Sequence, residues 1–547
     1  MRLAVPTSRL LALAAVWCVA VPAYAVPGPA TTAVLANADV PESVALATRY
    51  ADARAIPAVQ RCALPLPTGP AMEQGAFESA LLAPLEACLG ALADRIEAVV
   101  LVRGVPLRVT GFPGGRQASL AAVLGTWRST LGAGGASLRT RAPGVDAMCG
   151  AAPCYAARWR NPFRAGTFEA GWEATRDGVR WRPVLVTRLD GRSFDAAEGL
   201  IESALSGEAA GGVPGEVLLM EGADAARGVL DVEYPAVLEA LAAREIPVAS
   251  VPFDTDLSGR DLAAFVTGTS RLGDAIEGNR YAPGSIVDNL TSLGAVPRNF
   301  EATGESQVSI ARWVAAGVAG AHGATAEPLN NTFPSRRFLV DYVDGSTLAE
   351  AYHRNLPFSF WQNLVLGDAM AAPHARRPAV DPGLEDGASL PGPTEVSLSA
   401  TDPRAERGIA TLRAYLDGVQ VGAAEGAELD LCLEPAAEAH VLLVVAQAAA
   451  APAGPGAYRP KGWAVRRAPL ALSTACGGDD AGGEIDAGAI DAGGAIDAGG
   501  EIDAGGAIDA GALDAGAAER AGGCAASPAP VTLALGLALI ALVRRRV

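Results

Sequence analysis

The sequence predicts an α/β protein: a three-layer domain with a mostly parallel sheet, then a small antiparallel β-sandwich. Across residues 26–380, short continuous apolar runs alternate with amphipathic stretches, the pattern of strands buried on both faces. After a Pro/Gly/acid linker at 381–393, residues 394–476 change to strict apolar–polar alternation, the mark of antiparallel strands with one wet face. Both ends of the 547-residue chain differ from this middle. Residues 1–25 carry a charged start, an apolar run and Ala23-Tyr24-Ala25, and residues 477–547 join a Gly/Asp/Ala tract to an apolar run and three arginines.

Taken in order, 33–37 (AVLAN) reads as the first strand. Pro41 suits the first turn of a helix running to about Arg54. Residues 62–66 (CALPL) form the next strand, 77–93 a helix, and 98–102 (AVVLV) a buried strand. The rhythm returns with strands at 184–187, 217–221 and 248–251, and helices at 196–207 and 234–244. A helix at 309–316 leads into the Gly/Ala-rich stretch 317–323. The segments 337–344, 347–355 and 361–366 complete the domain near Pro373. In the sandwich, 395–400 (EVSLSA), 410–416 and 441–445 alternate, and Asp417-Gly418 is a strong hairpin signal.

The N-terminal stretch is a secretory signal peptide with its cleavage site at Ala25. Residues 477–523 repeat Ile-Asp-Ala-Gly, with Ile485, Ile490, Ile496, Ile502, Ile508 and Leu513 spaced five or six apart. So much glycine and aspartate favours a disordered acidic spacer, with a reach of roughly 35–40 Å as a flexible coil. The apolar run 531–543 is a C-terminal hydrophobic helix, short for a lasting transmembrane span, which needs about 20 residues. Together the ends predict an exported protein at the cell surface or outer membrane, anchored through its tail before processing.

Net charge is −17, and Lys461 is the sole lysine. An acidic chain with so few ammonium groups excludes nucleic acid as a partner. Six cysteines lie between the signal and the tail: Cys62, Cys88, Cys149, Cys154, Cys432 and Cys476. An even number in an exported chain reads as disulfides, with Cys62–Cys88, Cys149–Cys154 and Cys432–Cys476 the natural pairs. No CxxC pair or histidine cluster supports a metal, and no phosphate-binding loop or GxSxG elbow is present, so no cofactor is expected.

His322 is the leading chemical candidate. It lies with Thr325 and Glu327 in HGATAEP, read as a Gly-rich loop at a strand end. There it would serve as a general base or a metal ligand; the ordinary alternative is a structural histidine bonded to a loop. Asp190 in RLDG and Asp368 in LGD end other strands and are the candidate assisting carboxylates. With Arg103 and Arg188 they equally describe a structural ion network. Ser285 and Ser292 read as loop residues.

Four resemblances extend this. Gly523-Cys524, the run 531–543 and Arg544-Arg545-Arg546 resemble the myxobacterial MYXO-CTERM sorting signals. That resemblance implies tail removal by a membrane sorting protease, with Cys524 as its landmark. VLVRGVPLRV (100–109), LVTRLDG (185–191), GSTLAEAY (345–352) and WQNLVLGD (361–368) resemble a family of exported bacterial proteins of unknown function. The strand ends LVRG, LVTRLDG and LVLGD also resemble the caspase-like, Rossmann-like core of gingipain-type cysteine peptidases. Such enzymes need a His-Gly and a following cysteine. Ala321-His322-Gly323 is present, but no cysteine lies between Cys154 and Cys432, so cysteine peptidase chemistry is not expected. LDGVQVG (416–422) resembles immunoglobulin-like modules of bacterial surface proteins.

The expectation is therefore a non-catalytic binding or structural module of the cell envelope, processed by signal peptidase and a sorting protease, its ligand unknown. The alternative is a surface hydrolase using His322 with Asp190, Glu327 or Asp368. A pocket at His322 with a carboxylate in reach favours the enzyme, and a packed His322 favours the module.

Overall fold

A computed structural model describes residues 26–131, 137–140, 145–149, 152–155, 161, 174–176, 178–404, 406–449 and 459–476. Ala25, the 477–523 spacer, Cys524 and the terminal apolar run lie outside the described residues, as do the side chains of Cys149 and Cys154.

A large mixed sheet of ten strands dominates. Its strands are β1 (Thr32–Asn37), β2 (Arg61–Leu64), β3 (Ala98–Val102), β4 (Leu185–Leu189), β5 (Glu216–Met220), β6 (Val248–Val251), β7 (Asp261–Thr267), β8 (Arg280–Asn289), β9 (Gly320–Ala324) and β10 (Asn363–Gly367). Their order is β6-β5-β7-β8-β9-β10-β4-β3-β1-β2. β1 to β4 pair in parallel through β3, and β5 to β9 do so among themselves. The β9–β10 junction is antiparallel, with His322 opposite Val365. Every residue of β1, β3 and β4 is buried, as the continuous apolar runs require.

The helices form where the periodicity places them. In α1 (Pro41–Ala53), Ser43, Leu46, Ala47, Tyr50 and Ala51 are buried, a spacing of three and four that turns one stripe to the sheet. α2 (Phe194–Ala210) starts at Ser193, whose hydroxyl accepts from Ala196 N at 3.1 Å, and stops at Gly211 with φ 71°. α2 packs so closely on β8 that a Cβ on Gly207 would sit 2.7 Å from Gly284 Cα. α3 (Tyr234–Ala242), α4 (Ile310–Ala315), α5 (Phe338–Val343) and α6 (Leu348–Asn355) follow. Thr347 and Glu350 form a reciprocal cap at the start of α6. The helical run 74–95 is long and apolar enough to cross a membrane by length and composition, but its Phe77, Leu81, Leu82, Leu85 and Leu89 are buried in the core.

Two expectations change. Ser285 lies within β8 and is fully buried, not in a loop. His322 sits inside β9, so the HGATAEP stretch begins as a strand and not as a Gly-rich loop.

A second, antiparallel sheet contains β11 (Ala379–Asp381), β12 (Thr394–Thr401), β13 (Ile409–Leu416), β14 (Val419–Glu425), β15 (Glu428–Ala448) and β16 (Lys461–Leu472). The β13–β14 turn is Asp417 (φ 47°) and Gly418 (φ 86°), the two positive angles that a tight hairpin needs. The stretch read as a linker packs Leu384 and Leu390 on this sheet's core, and Gly387 N donates to Arg467 O at 2.8 Å. The antiparallel sheet also bonds to the large one. Lys461 Nζ meets Glu97 at 3.0 Å, Arg95 donates to Gly418 O at 2.8 Å, and Arg377 lies 4.7 Å over the Trp463 ring.

Cys62 bonds Cys88, and Cys432 bonds Cys476, the expected pairs. They close stretches of 26 and 44 residues, each of which restrains the unfolded chain by about 3–4 kcal/mol in the loop-entropy model. Thermal unfolding with and without reductant checks this. Reduction is expected to lower the midpoint by roughly 6–8 °C if ~6–8 kcal/mol is lost, at about 2.1 cal/mol/K of unfolding entropy per residue, and an unchanged midpoint contradicts it.

Candidate functional site

The chemistry-bearing side chains separate into three buried clusters and one cleft. The first cluster surrounds His322. β8 ends with Ile286 and Val287 in the apolar layer, and its pairing with β9 puts Asp288 beside His322. His322 Nδ1 lies 2.7 Å from Asp288 Oδ1, and Nε2 lies 3.1 Å from Asn363 Oδ1 on β10. Arg336 Nη1 bonds the other oxygen of Asp288, and its Nη2 donates to Thr267 O at 3.2 Å. His322, Asp288 and Arg336 are each 0 % exposed. Phe333 meets the imidazole edge to face at 5.3 Å, and Tyr352 stacks at 6.3 Å.

Burial opposes the charge on Asp288, but Arg336 first and His322 next hold its carboxyl below the ordinary range. Both ring nitrogens face oxygens. A doubly protonated ring satisfies both, and a neutral ring does so if the Asn363 amide turns over. In either state both ring nitrogens of His322 are taken and its side chain is fully buried.

The other candidates lie elsewhere. Asp190, beyond β4, bonds Arg188 at 2.8 Å and Arg103 at 2.9 Å and accepts from Gly191 N. Asp368, beyond β10, accepts from Tyr50 OH at 2.7 Å and Arg54 Nε at 2.5 Å. Arg54 also meets Glu208, which accepts from Arg377 at 3.0 Å and Ala372 N at 2.8 Å. Glu327 is exposed, past the far end of β9. The β9–β10 pairing sets Gly320 opposite Gly367, so Asp368 and Glu327 lie off opposite ends of β9. The carboxylate that reaches His322 is therefore Asp288, and not Asp190, Glu327 or Asp368.

The cleft lies between the Leu120–Gly125 helix, residues 183–186 and the turn 356–360. Asn363, bonded to His322 on one side, lines it on the other. His353 of α6 also lines it, and its Nε2 lies 3.0 Å from Val186 O. Burial holds His353 down to about 4, despite the helpful carbonyl, so its ring is neutral at pH 7. Phe360 adopts φ 59° and meets Phe112 edge to face at 5.6 Å. Asp288, Arg336, Asn363 and His353 were not legible as site residues. The one available signal for Asp288 is its place after Ile286-Val287, as Asp190 follows the apolar run of β4.

No family model and no curated protein matches this chain. Among solved structures, fibronectin(III)-like modules of CbhA from Clostridium thermocellum are similar to 16 % of this chain, over 93 % of their own length, at 13 % identity and a TM-score of 0.13.

Three measurements follow from these clusters. Asp288→Ala leaves Arg336 buried without its partner and is expected to cost about 3–5 kcal/mol in denaturant unfolding; a loss under about 1 kcal/mol contradicts the cluster's role. Glu208 is held down to about 2 against burial by Arg377 and Arg54, from an ordinary 4.5. Its charged form therefore stabilises the fold fully above pH 4.5, by about 3 kcal/mol, and that stability is lost as pH falls toward 2. Glu208→Gln is expected to flatten the stability–pH curve in that window. His353 is depressed by burial from 6.5 to about 4, so the unfolded chain takes up its proton first. Stability is then lost as pH falls from 6.5 to 4, and His353→Gln removes that slope.

Proposed function

We infer that this is an exported, surface-held envelope protein whose folded part binds or scaffolds and does not catalyse. The carrying observation is the burial of His322: it is 0 % exposed, with Asp288 and Asn363 on its two nitrogens. A general base must reach the proton it abstracts. Asp190 and Asp368 are bound to arginines in the same structural way.

Export is supported by the signal-like residues 1–25, and two disulfides suit an oxidising compartment. In this reading signal peptidase cuts after Ala25 and a membrane sorting protease acts near Cys524. The spacer 477–523 then holds the folded part clear of the lipid. The LVRG, LVTRLDG and LVLGD strand ends support a caspase-like, Rossmann-like three-layer core over 26–380. LDGVQVG and the antiparallel sheet support an immunoglobulin-like module over 394–476, though Leu384 and Leu390 tie the 381–393 stretch to it.

A surface hydrolase remains the second reading, because the 2.7 Å His322–Asp288 contact has the spacing of a base and its orienting carboxylate. The full chain, produced with its export signal, separates the two in a peptidase and esterase screen beside His322→Gln. No turnover by folded protein is expected. Turnover abolished by His322→Gln overturns the binding reading. Mass spectrometry of the surface-released protein is expected to find Val26 as the first residue and nothing beyond the Cys524 region.

A further inference from the structure

Three motifs of the sequence meet away from His322. The short strands Ala71–Glu73, Arg108–Phe112 and Arg116–Ser119 form a small sheet of their own. Arg108 lies near the end of VLVRGVPLRV, and its Nη1 is 3.5 Å from Thr325 O of HGATAEP. Thr325 Oγ1 donates to Gln362 Oε1 at 3.0 Å, and Gln362, from WQNLVLGD, donates to Gln117 O at 2.6 Å. Ser119 N donates to Trp361 O at 2.9 Å, which ties the small sheet to the same stretch.

Arg108 pairs with Ser119 on one side and Ala71 on the other, so these three side chains stand on one face of the small sheet. Val109, Met72 and Ala118 form the opposite face and are buried in the core. Arg108 is half-buried, and among the described residues no carboxylate pairs with it. Burial alone lowers its guanidinium from the ordinary value. Its Nε is enclosed without a hydrogen-bond partner, and so is the hydroxyl of Ser119, which is 0 % exposed. Glu73, the carboxylate on this face, is taken by Thr110 Oγ1 at 2.7 Å. Two unmet donors thus stand side by side, in a chain whose net charge is −17.

We propose that this face binds a carboxylate-bearing ligand, its two oxygens on the Arg108 guanidinium and the Ser119 hydroxyl. The proposal deepens the non-catalytic binding reading and rests on it. The planar fork of a guanidinium matches a carboxylate in shape and in single charge. A phosphate dianion would leave one charge unanswered, with Glu73 on the same face. A neutral amide of the same shape gains no charge-assisted bond.

Labelling of the full chain with the arginine reagent phenylglyoxal, read residue by residue in peptide mass spectrometry, tests this. Acetate is expected to slow the labelling of Arg108 saturably, with a half-effect on the order of 1–10 mM. Acetamide, and chloride at equal ionic strength, are expected to leave the rate unchanged, and phosphate to protect more weakly than acetate. The exposed Arg271 serves as reference and is expected to label at one rate throughout. Ser119→Ala, a mild change, is expected to raise the half-effect of acetate about 5-fold for want of one hydrogen bond. As a second measurement, acetate is expected to raise the thermal midpoint of the unaltered chain and not that of Arg108→Gln. Unsaturable protection, equal protection by acetamide, chloride or phosphate, or an unchanged half-effect in Ser119→Ala overturns the proposal. Failure here without ester turnover leaves the non-catalytic reading standing, whereas turnover lost in His322→Gln removes that reading itself.

Discussion

A carboxylate has been placed in the middle of a ten-stranded sheet, away from all water, and its charge must be answered there. Asp288 is that group. An isolated buried charge is far costlier than any single packing contact, so the chain brings Arg336 to one oxygen and His322 to the other. Arg336 arrives from the segment before α5, His322 from β9, and Asn363 closes the far side of the imidazole from β10. Four separate stretches of sequence are thus fixed against one another. The same logic repeats at Asp368 with Tyr50 and Arg54, and at Asp190 with Arg188 and Arg103. These clusters hold register more than they add net stability, because desolvation offsets most of the attraction.

That economy also bears on function. A histidine beside an aspartate is the commonest outline of a catalytic base, but here both ring nitrogens are spent on structure. One layer away, Asn363 separates the buried imidazole from the cleft lined by His353, whose ring burial holds neutral at pH 7.

Much of this was legible in the sequence where burial and polarity agree. The runs AVLAN and AVVLV, the spacing of buried positions in α1, Ser193 and Thr347 as caps, and Asp417-Gly418 as a hairpin turn all follow from local rules. Three strands of the large sheet escape that reading: β7 is absent from it, β8 reads partly as loop because Gly284, Ser285, Asp288 and Asn289 are turn-forming residues, and β9 reads as a Gly-rich loop. β9 is nearly all glycine and alanine, which suits its tight packing: a Cβ on Gly320 would meet Leu348 at 2.3 Å. Local propensity cannot see such neighbours.

The sequence by itself determined the alternation of strands and helices, the change to alternating antiparallel strands in the C-terminal part of the described chain, and the expectation of disulfides. Each is set by nearest neighbours along the chain or by a count of thiols. The tertiary structure alone decided that β10 runs against β9, that His322 meets Asp288 and not Asp190, Glu327 or Asp368, and that His353 borders a cleft. Those outcomes depend on which strands lie side by side, and the energy of a buried charge is settled only when its distant partner is in place.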